Sequence, residues 1–248
     1  MPRFFVKAEQ IGPRYIEITG KDVNHIKNVL RKEIEDKIEI CNQETGQAYS
    51  CEIEQIDDKK VITKIIKEIE KNENTVKIDI YQGLPKAEKM ELIIQKSVEL
   101  GANSIIPVAL NRCIVKLEGK DEIKKVERWQ KISESAAKQC GRDNIPEIKN
   151  IIKIKQLSEL CEKYDSIIVA YENEKQYTLK QEIENIKKYN KSDLKLAVVI
   201  GPEGGLEKEE VEILKNRNAK VVTLGKRILR TETVALNVLS ILTYELDN

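Results

Sequence analysis

The spacing of apolar residues changes once along the chain, and that change divides it in two. Up to residue 70, the stretches FFVK, YIEI, KIEICN, AYSCEIEQI and KKVITKIIKEIE alternate apolar with polar side chains. They are rich in β-branched residues, the pattern of half-buried strands. One amphipathic helix, Asp22–Leu30, interrupts them, and Asn42–Gln47 reads as a turn joining two of them. Residues 1–70 are therefore predicted to be a small β module, read here as a barrel. Lys67–Thr75 is polar and nearly free of apolar anchors, so the domain boundary is placed there.

From Val76 the period lengthens. VKIDIYQGL, SIIPVAL, SIIVAY, KLAVVIG and AKVVTLG read as strands, and Ala87–Leu100, Glu122–Cys140, Leu179–Lys188, Lys208–Asn216 and Thr231–Leu246 as helices. Met90, Ile93, Ser97 and Leu100 share one face of the first helix, which stops at Gly101, a good C-terminal cap. Val126, Trp129, Ile132, Ala136 and Cys140 line the second, before Gly141. Strands alternating with helices predict an α/β domain over residues 76–248, its parallel sheet covered on both faces. KLAVVIG does not alternate, as a central strand buried on both sides would not.

Composition narrows the chemistry. The 248 residues carry 43 Lys+Arg against 42 Asp+Glu, a formal net charge of +1. That balance argues against binding long nucleic acid through global charge, while leaving room for a local basic face. No apolar run approaches the roughly 20 residues of a membrane helix. MPRFFVKAEQIG lacks the apolar core and cleavage site of a secretory signal. Five widely spaced cysteines, with no CxxC pair, suggest neither a disulfide framework nor a zinc site, and the cytoplasm is the expected compartment. The single histidine, His25, removes His-based metal clusters and is read as structural.

Ligands of open α/β sheets gather at the carboxyl ends of strands. Three segments end there in glycine-bearing turns: Tyr81-Gln82-Gly83, Ile200-Gly201 and Leu224-Gly225. The GPEGG turn, Gly201–Gly205, fits neither a Walker loop nor a GxGxxG fingerprint. Glu203, Glu207, Glu209 and Glu210 crowd the helix start that follows, so a pyrophosphate would meet like charge. A phosphate-free nucleoside with a cationic group, such as S-adenosyl-L-methionine, suits the loop better, because glycines admit close backbone approach. On loop composition alone, a tight turn into a helix remains the simpler reading.

The C-terminal LGKRILRTETVALNVLSIL adds three cations, Lys226, Arg227 and Arg230, and then a helix apolar nearly all round, which must be buried in a core or against another subunit. VIGPEGGLEKEEV and LGKRILRTETVAL together closely resemble the SPOUT methyltransferases, and within them the ribosomal RNA small-subunit methyltransferase E family. KAEKMELIIQKSVELGANSIIPV, ERWQKISESAAKQCGRDNIP and GKDVNHIKNVLR extend the resemblance over nearly the whole chain. Thr233-Val234-Ala235 departs from the Thr-Ala of many members, away from the cofactor loops.

The resemblance implies an N-terminal PUA-like β-barrel that binds RNA and a SPOUT α/β domain with a C-terminal trefoil knot. It implies a homodimer built through the last helix, and methylation of N3 of a uridine in 16S rRNA or the small ribosomal subunit. S-adenosyl-L-methionine would be held by Ile200, Gly201, Pro202, Glu203, Gly204, Gly205, Leu224, Gly225, Ile228, Leu229 and Arg230. Arginine is a poor base, so Arg230 is assigned to stabilising negative charge on the uracil imide. Glu232 is assigned either to accepting the N3 proton or to stabilising its helix dipole. Arg112, Gln139 and Arg142, with Arg3 and Arg31, are the candidate RNA contacts; Trp129 has the spacing of a core residue. Two rivals stay open: a SPOUT methyltransferase acting elsewhere, such as on a ribose 2′-hydroxyl, and a non-catalytic RNA-binding assembly factor.

Overall fold

The computed structural model describes residues 3–247. The chain forms two compact units, one comprising residues up to Glu73 together with Ala137–Ile145, the other Asn74–Ala136 with Pro146 onward.

In the first unit, β1 (Arg3–Val6), β2 (Tyr15–Thr19), β3 (Lys37–Asn42), β4 (Ala48–Ile56) and β5 (Lys60–Ile69) make one sheet in the order β1-β3-β4-β5-β2. β1 runs parallel to β3, and the other neighbours are antiparallel. Alternation sends Ile16, Ile18, Ile38, Ile40, Cys51, Ile53 and Val61 into a common core with Phe4 and Val6. Among the described residues the edge strands β1 and β2 do not pair, so the sheet is a curled half-barrel rather than the closed barrel that the pattern suggested. Register shifts at Ser50/Cys51 and Ile53/Gln55 bend it.

The helix expected over Asp22–Leu30 comes in two parts. α1 (Lys21–Asn24) passes into a wide π turn, His25–Val29, in which the Leu30 amide donates to the His25 carbonyl at 2.8 Å. Val23 and Ile26 join the core, while Val29 is left 64% exposed. His25 sits edge-on to the Phe4 ring, 6.0 Å between centroids, the structural part read for it.

The second unit carries β6 (Lys77–Gly83), α2 (Lys89–Glu99), β7 (Ser104–Ala109), α3 (Lys120–Cys140), β8 (Glu147–Ile148), β9 (Ile152–Lys153), α4 (Ile154–Leu160), β10 (Ser166–Ala170), α5 (Leu179–Lys187), β11 (Lys195–Ile200), α6 (Lys208–Lys215), β12 (Lys220–Val222) and α7 (Thr231–Leu246). The last turn of α3 is counted with the first unit. α2 begins two residues later than expected because Ala87 lies in the left-handed region, at φ 53°, which no helix continues. The strands form a parallel sheet in the order β12-β10-β11-β6-β7-β8, with β9 also on β7. β11, the KLAVVI stretch, lies between β10 and β6 and is buried at every position after Lys195. α7 packs on α2, α5 and β11 through Ala235, Val238, Leu239 and Leu242. β8, β9 and α4 were not foreseen; two-residue strands show no alternation, and in α4 only Leu157 and Ser158 are buried.

Candidate functional site

Parallel strands put all their carboxyl ends on one edge of a sheet, and there the loops after β10, β11 and β12 converge with the first turn of α7. They enclose a cavity of about 520 Å³. Ile200, Gly201, Pro202, Glu203, Gly204, Gly205, Leu224, Gly225, Ile228, Leu229 and Arg230 all line it.

Two glycines are needed for the shape of the GPEGG turn. The Gly205 amide donates to the Pro202 carbonyl at 2.9 Å, closing the turn with Gly205 at φ +72°, a conformation side-chain-bearing residues avoid. A Cβ on Gly201 would stand 2.8 Å from the Gly205 carbonyl carbon, so the two ends of the turn touch only because both lack side chains. Beneath them, Gln82 at the end of β6 is fully buried. Its Nε2 donates to Thr231 Oγ1 at 2.8 Å and to the Gly83 carbonyl at 2.9 Å, while Thr231 donates to the Gly201 carbonyl at 2.7 Å. These bonds fix the end of β11 to the start of α7. Gln82 Oε1 is buried without a hydrogen-bond partner among the described residues.

The acidic residues of the turn have partners. Glu210 is buried and accepts from the amides of Glu207 and Asn111, each at 2.9 Å, and Glu207 accepts from Asn111 Nδ2 at 2.7 Å. The N-terminus of α6 is thereby occupied by its own carboxylates, as the charge pattern implied. Glu203 pairs with Lys89 Nζ at 3.0 Å and accepts from the Lys86 amide at 3.1 Å. Burial pushes the Glu203 carboxyl up, but its own amide, Lys89 and the Lys86 amide outweigh this and hold it below the usual range. Glu203 in turn raises Lys89.

Arg230 caps α7 through its backbone, its carbonyl accepting from the amides of Thr233 and Val234 at 2.8 and 3.0 Å. Its exposed guanidinium, like the Lys226 ammonium and the Arg227 guanidinium, forms no ion pair among the described residues. Glu232 lies in the first turn of α7, outside the cavity lining. Its side chain is 16% exposed, and its Oε2 stands 3.4 Å from Lys89 Nζ with no hydrogen-bond partner among the described residues. Lys89 thus links Glu203 and Glu232.

The RNA candidates separate into three kinds. Arg3 and Arg142 are held inside the first unit. Arg3 is 4% exposed and donates to Glu39 at 2.8 and 3.0 Å and to the Gly141 carbonyl at 2.6 Å, and it pairs with Asp143. Arg142 is 9% exposed and donates to Glu73 at 2.6–3.0 Å. Both guanidiniums are largely buried and held in internal ion pairs. Arg112 donates from Nη1 to the Gly204 carbonyl at 2.8 Å with its side chain 45% exposed, bracing the glycine turn while keeping an open face. Arg31 and Gln139 are exposed. Trp129 is buried, as its spacing implied.

The cavity also brings in Lys226 and Arg227 from within the expected loop, and Lys89, Ala170, Tyr171, Glu172, Thr223, Thr231 and Val234, none of them expected as cofactor residues. Tyr171 and Glu172 follow β10 without a glycine to mark their turn; the remaining signal was only their place after a buried strand.

Known proteins share this architecture. Residues 72–243 match the model of an RNA methyltransferase domain, and residues 18–66 that of an RNA methyltransferase PUA domain. The ribosomal RNA small subunit methyltransferase E of Bacillus subtilis (strain 168) is 38% identical over 252 residues, covering 100% of this chain and 98% of the relative. That of Aquifex aeolicus (strain VF5) is 30% identical, covering 96% and 97%. A crystal structure of the Neisseria gonorrhoeae enzyme of the same name, bound to S-adenosyl methionine, superposes with a TM-score of 0.83 at 28% identity, covering 98% of this chain and 97% of that one. A match over the full length of both partners, joined to a glycine-walled cavity at the carboxyl edge of the sheet, places the chain in the ribosomal RNA small subunit methyltransferase E family.

Proposed function

We propose that the chain methylates N3 of one uridine in 16S rRNA with S-adenosyl-L-methionine as donor. The observation that carries this reading is the cavity whose walls are the loops after β11 and β12, with Arg230 at its edge. Its volume falls within the roughly 300–1,000 Å³ of ligand pockets. Its floor of Gly201 and Gly205 leaves backbone groups open to a flat heterocycle. Ile200–Gly205 and Leu224–Leu229 would hold the nucleoside, mainly through main-chain donors and acceptors. The donor supplies a methyl group on a cationic sulfonium.

The residues around the cavity supply the rest. Uracil N3 reacts only after losing its proton, with charge spreading onto O2 and O4. Arg230 stabilises that charge as an oxyanion donor does. Glu232, largely shielded from water and beside Lys89, receives the N3 proton. Arg112 holds the Gly204 carbonyl and so the wall of the cavity. Lys226 and Arg227, without internal carboxylate partners, meet backbone phosphates near the extruded base.

The module of residues 1–70 gives RNA affinity through surface groups such as Arg31, joined by Gln139 at the end of α3, and residues 76–248 form the methyltransferase domain, its C-terminal segment tied in a trefoil knot. A second copy docks on α7, covering half-buried Leu236, Asn237 and Ile241 and exposed Tyr244. The setting is the cytoplasm, with free 16S rRNA or the small subunit as partner. Purified protein incubated with small subunits and isotope-labelled donor, followed by nucleoside mass spectrometry, tests the reading: the label belongs in 3-methyluridine. Label in a 2′-O-methylated nucleoside, or in none, would sink it.

A further inference from the structure

Two carboxylates line the cavity, and only one is neutralised. Glu203 has Lys89 and the Lys86 amide. Glu172, exposed in the loop after β10, takes no ion pair and no hydrogen bond among the described residues. Its Oε1 lies against Gly205, 2.3 Å from where a Cβ there would sit, so the carboxylate faces the glycine turn rather than open solvent.

Glu172 is also not needed by its own loop. The Tyr171 amide goes to the Val222 carbonyl at 3.2 Å, and the Gly205 amide to Pro202. Two positions along, Glu174 accepts from the amides of Lys175, Gln176 and Tyr177 at 2.9, 2.8 and 3.2 Å. Glu174 does the folding work of the segment, and Glu172 is left with an unpaired carboxylate aimed at a ligand cavity. Apart from Lys89, which is paired with Glu203, the opposite charge in that cavity, on Lys226, Arg227 and Arg230, is collected in the loop after β12. The cavity therefore has a negative side, and it belongs to the β10 loop instead of the GPEGG turn.

We propose that Glu172 is a cofactor ligand that accepts from the α-ammonium of the methionyl tail. The assignment rests on the S-adenosyl-L-methionine reading above. Of the donor's groups, the sulfonium bears no hydrogen on sulfur and the ribose hydroxyls are neutral. The ammonium is both a cation and a hydrogen-bond donor, the combination that gives a carboxylate its strongest bonds.

Calorimetric titration of wild type and Glu172→Gln with three probes tests this. The probes are S-adenosyl-L-methionine, S-adenosyl-L-homocysteine, which keeps the ammonium but not the sulfonium charge, and 5′-methylthioadenosine, which has neither. The substitution is expected to weaken the first two by about tenfold or more and to leave the third unchanged. Glu172→Asp, which keeps the charge, should recover part of the loss. Equal weakening of all three probes would move Glu172 to the ribose, weakening of the first alone would move it to the sulfonium, and no weakening would remove it from the site; each overturns the assignment. Wild type that binds none of the probes would instead bring down the cofactor reading, and this assignment with it. Unchanged thermal melting of both variants shows that they are folded.

Discussion

The first unit and the cavity of the second unit each gather arginines, and the two groups do opposite things. Around Arg3 and Arg142 every charge has a carboxylate: Glu39 and Asp143 for one, Glu73 for the other. Around Arg230 the guanidinium and its neighbours Lys226 and Arg227 have none among the described residues. A buried cation without a partner is strongly destabilising, so the first group must be internally neutral. A solvent-facing cation carries no such penalty, and left unpaired it keeps its field for a ligand. Residue type does not separate structural arginines from functional ones; the whereabouts of the carboxylates does.

The largest expected effect tests the structural side. Arg3→Ala leaves Asp143 and Glu39 without their cation, and breaking such a buried pair costs about 3–5 kcal/mol. Urea unfolding should show the loss; a variant as stable as wild type would mean that the cluster contributes nothing. On the functional side, Arg230→Ala should lower methyl transfer by about a hundredfold to a thousandfold. It should leave the unfolding midpoint nearly unchanged and donor affinity intact in calorimetry. If both variants lost stability alike, the contrast between the regions would disappear.

A smaller effect is expected at the turn. Gly205→Ala places a side chain at φ +72°, costing about 1–2 kcal/mol, and pushes on the Glu172 carboxylate. Donor affinity should fall in this variant, while Gly141→Ala, at φ +75° in the first unit with nothing near its Cβ, should lose comparable stability but no affinity. The mildest effect is a pH slope. Burial pushes the Glu73 carboxyl up, but Arg142 and the Asn144 and Asp143 amides outweigh it and hold the group below its ordinary 4.5. A depressed folded value stabilises above the unfolded one and is lost as pH falls through the folded one. Stability should therefore decline below about pH 4.5, and Glu73→Gln, starting lower, should decline less steeply.

What could be read from the sequence follows the range of the interactions involved. The glycine turns after buried strands were legible as local signals, and the family resemblance supplied the eleven residues around them, all of which line one cavity. Tyr171 and Glu172 escaped because their turn holds no glycine. The internal pairing of Arg3 and Arg142 was hidden because their partners are remote; Asp143 lies 140 positions from Arg3, and Glu73 lies 69 from Arg142. No window of sequence contains both members of such a pair. The alternation that revealed β2 to β5 could not reveal whether their sheet closes, since closure depends on pairing between strands at opposite edges. The π turn at His25–Val29 was hidden for a related reason: Val23 and Ile26 keep a helical three-residue spacing whichever way the backbone winds.

The side chain of Gln82 has a mechanical consequence. Through Thr231 it couples the floor beneath the glycine turn to the beginning of the helix on which a second copy is expected to dock. Only the Thr231 hydroxyl stands between that helix and the Gly201 carbonyl, so a shift of the helix start would be felt at the turn. Assembly and ligand capture would then behave as two handles on one rigid lever.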